Sequence, residues 1–232
     1  MKGLTRPHVL LSVAVSIDSY IDDAGPDRLL LSNAADFDRV DALRAESDAI
    51  LIGAETLRRD NPRLLINDED RRLRRIAAGQ PEYPLRVIVT ARGDLDPDLR
   101  FWHFGGERLI YTTDSGAARL DEWIFGEAEV VSLGAAIDFE AVLDDLAIRK
   151  IARLMVEGGG SIHTAFLSAG LADEIRMAVA PIAVGDPAAP RFLGPADFPG
   201  GARHRMRLAD VGRVGDMALL TYLPKEESNV VG

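Results

Sequence analysis

Val156-Glu157-Gly158-Gly159-Gly160-Ser161-Ile162 is the segment on which the fold assignment depends, because it joins a predicted strand over residues 153–156 to a predicted helix through three glycines. The helix extends to about Ala169. Glycines let the backbone approach a ligand closely, and the free N–H groups at a helix start attract an anion. The segment therefore predicts a phosphate-binding turn or, alternatively, a tight turn alone. It matches neither a Walker loop nor G-x-G-x-x-G.

On the N-terminal side of this turn, predicted strands alternate with predicted helices, which indicates an α/β fold with a mostly parallel sheet covered on both faces. The strands are predicted at residues 8–15, 49–52, 85–90, 108–112 and 129–132, and the helices at residues 33–46 and 139–148. The first helix, capped by Ser32 or Asn33, is expected to bury a face that carries Phe37, Val40 and Leu43.

After Gly170 the pattern changes to three strands with no helical pattern between them, at residues 173–182, 204–211 and 217–223. This predicts an antiparallel end to a mixed sheet. The whole chain, residues 1–232, is expected to form one domain with a frayed tail over residues 225–232.

Residues 68–78 are charged and predict a surface helix. Its arginines form a solvated face or, alternatively, contact a phosphate: Arg71, Arg72, Arg74 and Arg75.

Composition narrows the classes of function. With 47% apolar and 28% charged residues and no long apolar run, the chain is expected to be a soluble protein of the cytoplasm, with no membrane partner and no signal segment. A net charge of −10 disfavours nucleic acid, although local arginines can still hold an anionic cofactor. The absence of cysteine excludes disulfides and thiolate metal sites, and the four histidines show no metal spacing, so no metal is expected. His163 is expected to be a packing or solvent residue.

A second strand also ends in glycine at the start of a helix, in Ile50-Leu51-Ile52-Gly53-Ala54-Glu55-Thr56-Leu57. The chain then continues to Asp60-Asn61-Pro62-Arg63-Leu64. Ligands bind beyond the carboxyl ends of the strands in open sheets, so the two glycine turns suggest one shared crevice. The Asp60-Asn61-Pro62 segment can equally be an ordinary turn.

Ordered motifs over most of the chain resemble the pyrimidine reductase of riboflavin biosynthesis, which in bacteria is the C-terminal domain of a deaminase/reductase. The motifs that carry the resemblance are Ser16-Ile17-Asp18-Ser19, Leu43-Arg44-Ala45, Asp48-Ala49-Ile50-Leu51-Ile52-Gly53, Thr56, Asp60-Asn61-Pro62-Arg63-Leu64, Val156-Glu157-Gly158-Gly159, Gly170-Leu171-Ala172-Asp173-Glu174 and Ala180-Pro181. The family's zinc deaminase signature is missing from this cysteine-free chain.

The resemblance implies a dihydrofolate-reductase-like α/β/α fold with three layers and a mixed, mostly parallel sheet. It also implies a homodimer, NADPH as cofactor and a ribosylamino-pyrimidine phosphate as the substrate reduced to its ribitylamino form. Asp60 is the implied catalytic acid, and the implied substrate contacts are Arg44, Arg63, Leu64 and Glu157. The implied cofactor contacts are Val15, Gly53, Thr56, Arg92, Gly158, Gly159, Gly160, Ser161 and Ile162. Arg92 would pair with the 2′-phosphate, or it is a surface arginine.

Three residues depart from the family pattern. Ser19 replaces the usual Gly, Ser12 stands where Lys is common, and Asn67 stands where Arg or His is usual near the substrate phosphate. The candidates for a replacement phosphate contact are Arg44, Arg63 and Arg28, and Arg44 is favoured because it occupies the Leu-Arg-Ala motif. Reduction of a pterin or another small C=O or C=N compound, and a non-catalytic nucleotide-binding protein, remain alternatives.

Overall fold

The computed structural model describes residues 5–224, and the contacts within it divide this part of the chain into two compact units. The first unit comprises residues 5–8 and 38–159, and the second comprises residues 9–37 and 160–224. The single-domain expectation stays a prediction, and the predicted tail at residues 225–232 lies outside the described residues.

The strands of the described part, in chain order, are β1 (His8–Val15), β2 (Ala49–Gly53), β3 (Leu85–Thr90), β4 (Arg108–Thr112), β5 (Glu129–Ser132), β6 (Arg153–Gly158), β7 (Glu174–Val179), β8 (Arg207–Val214) and β9 (Met217–Leu223). The helices are α1 (Ala34–Glu46), α2 (Ala54–Asp60), α3 (Glu69–Ala77), α4 (Asp114–Ala117), α5 (Ile124–Glu127), α6 (Phe139–Ile148) and α7 (Gly160–Ser168). None of these helices is long and apolar enough to span a membrane.

In the first unit, strands β5, β4, β3, β2 and β6 pair in that order, and every pair is parallel. All five residues of β2 are buried, as expected for a parallel strand with both faces covered. A core cluster that includes Ile50, Ile52, Leu64 and Phe101 fills this unit. In the second unit, β1 pairs with β7 in parallel, while β9 pairs antiparallel with both β7 and β8. The predicted mixed, mostly parallel sheet with an antiparallel end is confirmed.

Several boundaries differ from the predicted ones. Strand β6 continues two residues beyond Val156, through Glu157 and Gly158, whereas β7 stops at Val179. Strand β8 starts at Arg207 and ends at Val214, three residues later at each end than predicted, and a short 3₁₀ turn at residues 201–203 precedes it.

The predicted buried face of α1 is wrong at Phe37, which is 43% exposed, while Leu43 is buried as expected. Two aspartates of α1 are buried instead. The carboxylate of Asp36 accepts from the Ser32 hydroxyl, and that of Asp41 accepts from Asn67 and Arg71. Polar partners supplied by other segments therefore determine which side of this helix faces inward.

Helix α3 forms where the surface helix was predicted, and Asp68 caps it by accepting from the Arg71 N–H. The solvated arginine face is wrong at Arg75, which is 4% exposed. Its guanidinium donates to the carbonyl oxygens of Ala45, Ser47 and Pro81. Leu73 and Ile76 of the same helix are exposed instead.

Candidate active site

Two predicted substrate contacts of the first unit, Arg44 and Glu157, form a largely buried ion pair. Nε and Nη2 of Arg44 each donate to one Glu157 carboxylate oxygen at 2.6 Å, and Nη1 donates to the Leu65 carbonyl oxygen at 3.0 Å. The Arg44 side chain is 15% exposed and that of Glu157 is 14% exposed. Burial alone would lower the pKa of Arg44, but the Glu157 charge and hydrogen bonds hold that pKa above its ordinary value. The Arg44 guanidinium therefore keeps its charge, and its two bonds to the carboxylate fix the orientation of Glu157.

A β-bulge places Glu157 in this position. Leu51 of β2 pairs with Val156, but the next residue, Ile52, pairs with Gly158, so Glu157 is an extra residue in β6. A bulge bends the strand and re-aims the side chain of the extra residue, and bulges are common next to active sites. Gly158 has a φ of 147°, which a residue with a side chain rarely adopts. The glycine after Glu157 thus allows the bulge to form.

Positions 158–160 favour glycine for two different reasons. Gly158 and Gly159 have φ values of 147° and 90°, which disfavour other residues. Gly160 begins α7, and a Cβ atom added there would collide with the backbone oxygen of Arg191. The backbone conformation and packing of this turn therefore explain its glycines without any ligand. The first N–H groups of α7 have no acceptor within the helix.

The segment after α2 contains two residues with left-handed backbone, Asn61 and Leu64. Asn61 ends the helix with a φ of 43°, and its N–H donates to the Leu57 carbonyl oxygen at 3.0 Å. Leu64 has a φ of 52°, and its side chain is buried in the core. Asp60, the predicted acid, is half-buried at the last position of α2. Any contact of Leu64 with a substrate would therefore use its backbone.

Arg63 lies inside this segment, and its side chain is held from two sides. Nη2 donates to the Asn67 side-chain oxygen at 2.6 Å, and the guanidinium carbon lies 5.2 Å from the centre of the Phe104 ring. The Arg63 carbonyl oxygen accepts from Arg86 Nη1 at 3.2 Å.

Arg86 is a buried residue that sequence reasoning missed. Its guanidinium donates to the carbonyl oxygens of Phe101, Phe104 and Gly106 as well as that of Arg63. Burial and the nearby Arg108 charge lower the pKa of Arg86 to about 10. The only signal in the sequence is a charged residue at the second position of an otherwise apolar strand.

The remaining predicted contacts of the first unit are Gly53, Thr56 and Arg92. Gly53 is the residue before α2, with an extended backbone, and Thr56 is half-buried on that helix. The Arg92 side chain is 66% exposed, and Nη2 lies 3.5 Å from a carboxylate oxygen of Asp94. The structure is thus compatible with both alternatives for Arg92, the surface arginine and the phosphate contact.

In the second unit, the motif after β1 forms a turn around Asp18. The Asp18 carboxylate accepts from the Ser16 hydroxyl at 2.6 Å and from the N–H groups of Val184 and Gly185 at 3.1 and 2.7 Å. Led by the Ser16 bond, these interactions lower the pKa of Asp18 to about 2. Ser19 has a φ of 68°, which explains why glycine suits this position better.

His163 and Val15 are both buried in the second unit. His163 packs 5.2 Å from Phe192 between ring centres, and burial lowers its pKa to about 4. Of the two alternatives for His163, packing is confirmed. Among residues 5–224, no group of three or more His, Asp or Glu side chains is arranged to hold a metal ion.

The pattern of the RibD C-terminal domain family matches residues 7–220 of the chain. The chain belongs to this family. It is 32% identical over 212 residues to the 2,5-diamino-6-ribosylamino-4(3H)-pyrimidinone 5′-phosphate reductase of Archaeoglobus fulgidus, and the match covers 91% of this chain and 95% of that protein. The reductase of the same name from Methanothermobacter thermautotrophicus is 33% identical over 181 residues, which cover 78% of this chain and 80% of that one.

Two solved structures share the fold of this chain. Acinetobacter baumannii RibD superposes with a TM-score of 0.79 at 21% identity, and the match covers 95% of this chain and 59% of that one. The chain thus spans about three fifths of RibD. A pyrimidine reductase-like protein of Corynebacterium diphtheriae gives a TM-score of 0.78 at 21% identity, covering 95% of this chain and 93% of that one. The predicted family and the dihydrofolate-reductase-like fold are confirmed, and the relatives' names agree with the predicted reductase activity.

Proposed function

We propose that the protein is an NADPH-dependent reductase that converts 2,5-diamino-6-ribosylamino-4(3H)-pyrimidinone 5′-phosphate to its ribitylamino form. The observation that carries this proposal is the match to a reductase of that substrate over 95% of its length. A second candidate substrate is 5-amino-6-(5-phosphoribosylamino)uracil, because the name of a Thermotoga maritima protein with a TM-score of 0.75 includes its reduction. The cytoplasmic location and the homodimer stay predictions.

The glycine turn fits the pyrophosphate of such a cofactor. Gly158 and Gly159 have no side chains that would keep a ligand from the backbone, although Gly158 is buried and Gly159 half-buried, and the first N–H groups of α7 supply partial positive charge. We assign the pyrophosphate to this turn, with Gly53 and Thr56 as further contacts and Arg92 at the 2′-phosphate. Val15, Ser161 and Ile162 stay predicted cofactor contacts. When bound, NADPH supplies a hydride from C4 of its nicotinamide to C1′ of the ribose.

The chain's own residues supply orientation and a proton. Glu157, held by Arg44, accepts hydrogen bonds from the N–H edge of the pyrimidine, and its orientation is fixed before the substrate arrives. Asp60 donates a proton to the ribose ring oxygen as the C1′–O bond breaks and the C1′–H bond forms. The substrate gains one hydride and one proton in total, and no protein nucleophile is needed.

The decisive assay follows NADPH absorbance with four compounds at equal concentration: the diaminopyrimidinone phosphate, the aminouracil phosphate, dihydrofolate and no substrate. We expect the fastest turnover with the first compound. Faster turnover of the second compound would identify the deaminated pyrimidine as the substrate. Reduction of dihydrofolate alone would identify the protein as a pterin reductase. If the protein binds NADPH tightly but turns over none of the compounds, it is a non-catalytic nucleotide-binding protein.

A further inference from the structure

We propose that Arg63 recognises the phosphate group of the substrate. This inference rests on the proposed function, since it assigns a specificity-determining residue to the phosphorylated ribose of that substrate. It also replaces the expectation that Arg44 has this role.

The first argument is charge. No carboxylate of residues 5–224 lies within ion-pair distance of Arg63, whose contacts are the Asn67 amide oxygen and the Phe104 ring. Arg58 and Arg71, on the neighbouring helices α2 and α3, each pair with acidic side chains. In a chain with a net charge of −10, an arginine without a carboxylate partner is a ready site for an anion.

The second argument is preorganisation. The Asn67 hydrogen bond, the Phe104 contact and the Arg86 bond to the Arg63 carbonyl oxygen fix both ends of the residue. Within residues 5–224, one of the five N–H donors of the guanidinium donates to a protein oxygen, so an edge remains for two parallel bonds to phosphate. Little side-chain freedom is left to lose on binding, which favours affinity.

The third argument is position, together with the competing demand on Arg44. Arg63 follows the proposed acid Asp60 by three residues, which limits the distance between their Cα atoms to about 11 Å. Ribose 5-phosphate has only a few bonds between its ring oxygen and its phosphate, so the two side chains must converge on it, which residues this close in the chain can do. Arg44 is unsuited, because its charge is neutralised by Glu157 and three of its donors are already used.

The test compares the phosphorylated substrate with its dephosphorylated form, using Arg63→Gln, Arg63→Lys and the matched control Arg119→Gln. Arg119 is an exposed arginine after α4. For Arg63→Gln we expect KM for the phosphorylated compound to rise about 10- to 100-fold, because charge-assisted bonds are lost, with kcat and the dephosphorylated compound unchanged. Arg63→Lys should recover part of the loss, and Arg119→Gln should match wild type.

Calorimetric titration with ribose 5-phosphate provides a readout that does not depend on turnover. We expect wild type and Arg119→Gln to bind this probe and Arg63→Gln to lose binding at least tenfold. If wild type reduces the pyrimidine and Arg63→Gln keeps its KM and its binding, the Arg63 assignment is overturned and the proposed function stands. Probe binding that needs Arg63 without pyrimidine turnover would support the assignment and refute the proposed function. If wild type shows no turnover of the pyrimidine and no binding of the probe, both the Arg63 assignment and the proposed function are overturned.

Discussion

Replacing Glu157 by glutamine tests the buried ion pair most directly. Glu157→Gln keeps the shape of the side chain but removes the carboxylate paired with the Arg44 guanidinium, which is 15% exposed and then feels only the more distant Asp41 charge. Breaking a buried pair by removing one partner costs about 3–5 kcal/mol, and partial exposure places this one near 3 kcal/mol. For a chain of 232 residues, that loss lowers Tm by about 6–12 °C.

Urea unfolding of wild type and variant would measure this loss. Glu55→Gln is the control, because Glu55 pairs with Arg58 on the surface of α2 and is 80% exposed. Its removal should cost less than about 0.5 kcal/mol. The double variant Arg44→Met/Glu157→Leu should unfold within about 1.5 kcal/mol of wild type, since it leaves no charge uncompensated. A loss below about 1 kcal/mol in Glu157→Gln would refute the reasoning, because the pair would then behave as a surface pair.

Four further outcomes are expected. Asp60→Asn should lower kcat about 10²- to 10⁴-fold with NADPH affinity, measured by fluorescence, within twofold of wild type; near-normal turnover would make Asp60 a turn former only. Arg92→Ala should reduce the preference for NADPH over NADH, and a constant ratio of the two kcat/KM values would place the 2′-phosphate elsewhere. Because the pKa of Asp18 is lowered from 3.8 to about 2, its contribution to stability is complete above pH 3.8 and disappears as the pH falls towards 2, a step in acid unfolding that Asp18→Asn should lack. Gly160→Ala should cost about 1–3 kcal/mol in urea unfolding, since its Cβ would meet the Arg191 carbonyl oxygen, and an unchanged midpoint would contradict that.

The strands and helices that could be predicted are those in which side-chain periodicity reflects burial. The predicted bounds of β3, β4, β5, β9 and α6 match the observed ones, because each carries an apolar pattern with clear ends. Helix α3 shows the limit of this reasoning. Its charged sequence predicts the helix correctly, but the burial of the Arg75 side chain depends on carbonyl oxygens of other segments. Periodicity contains no information about such acceptors.

Only part of the candidate site could be predicted from the sequence, and the reason is similar. The motifs name Glu157 and Arg44, yet their bidentate contact depends on a bulge between β2 and β6, which is a property of strand pairing rather than of local sequence. The same holds for Ser19, whose φ of 68° could be suspected only because relatives have glycine there. The sequence favours Arg44 over Arg63 and Arg28 as the phosphate contact, because it does not reveal that Glu157 already neutralises the Arg44 charge.

The buried guanidinium of Arg86 has a consequence for how the first unit assembles. A cation gives up its hydration shell only when protein acceptors replace the water, and its acceptors belong to residue 63 and to residues 101–106. Strand β3 therefore cannot exclude water at this position until both segments have arrived. One guanidinium thus joins segments 15 to 23 residues away in the chain, so loss of either segment leaves part of the buried charge without acceptors.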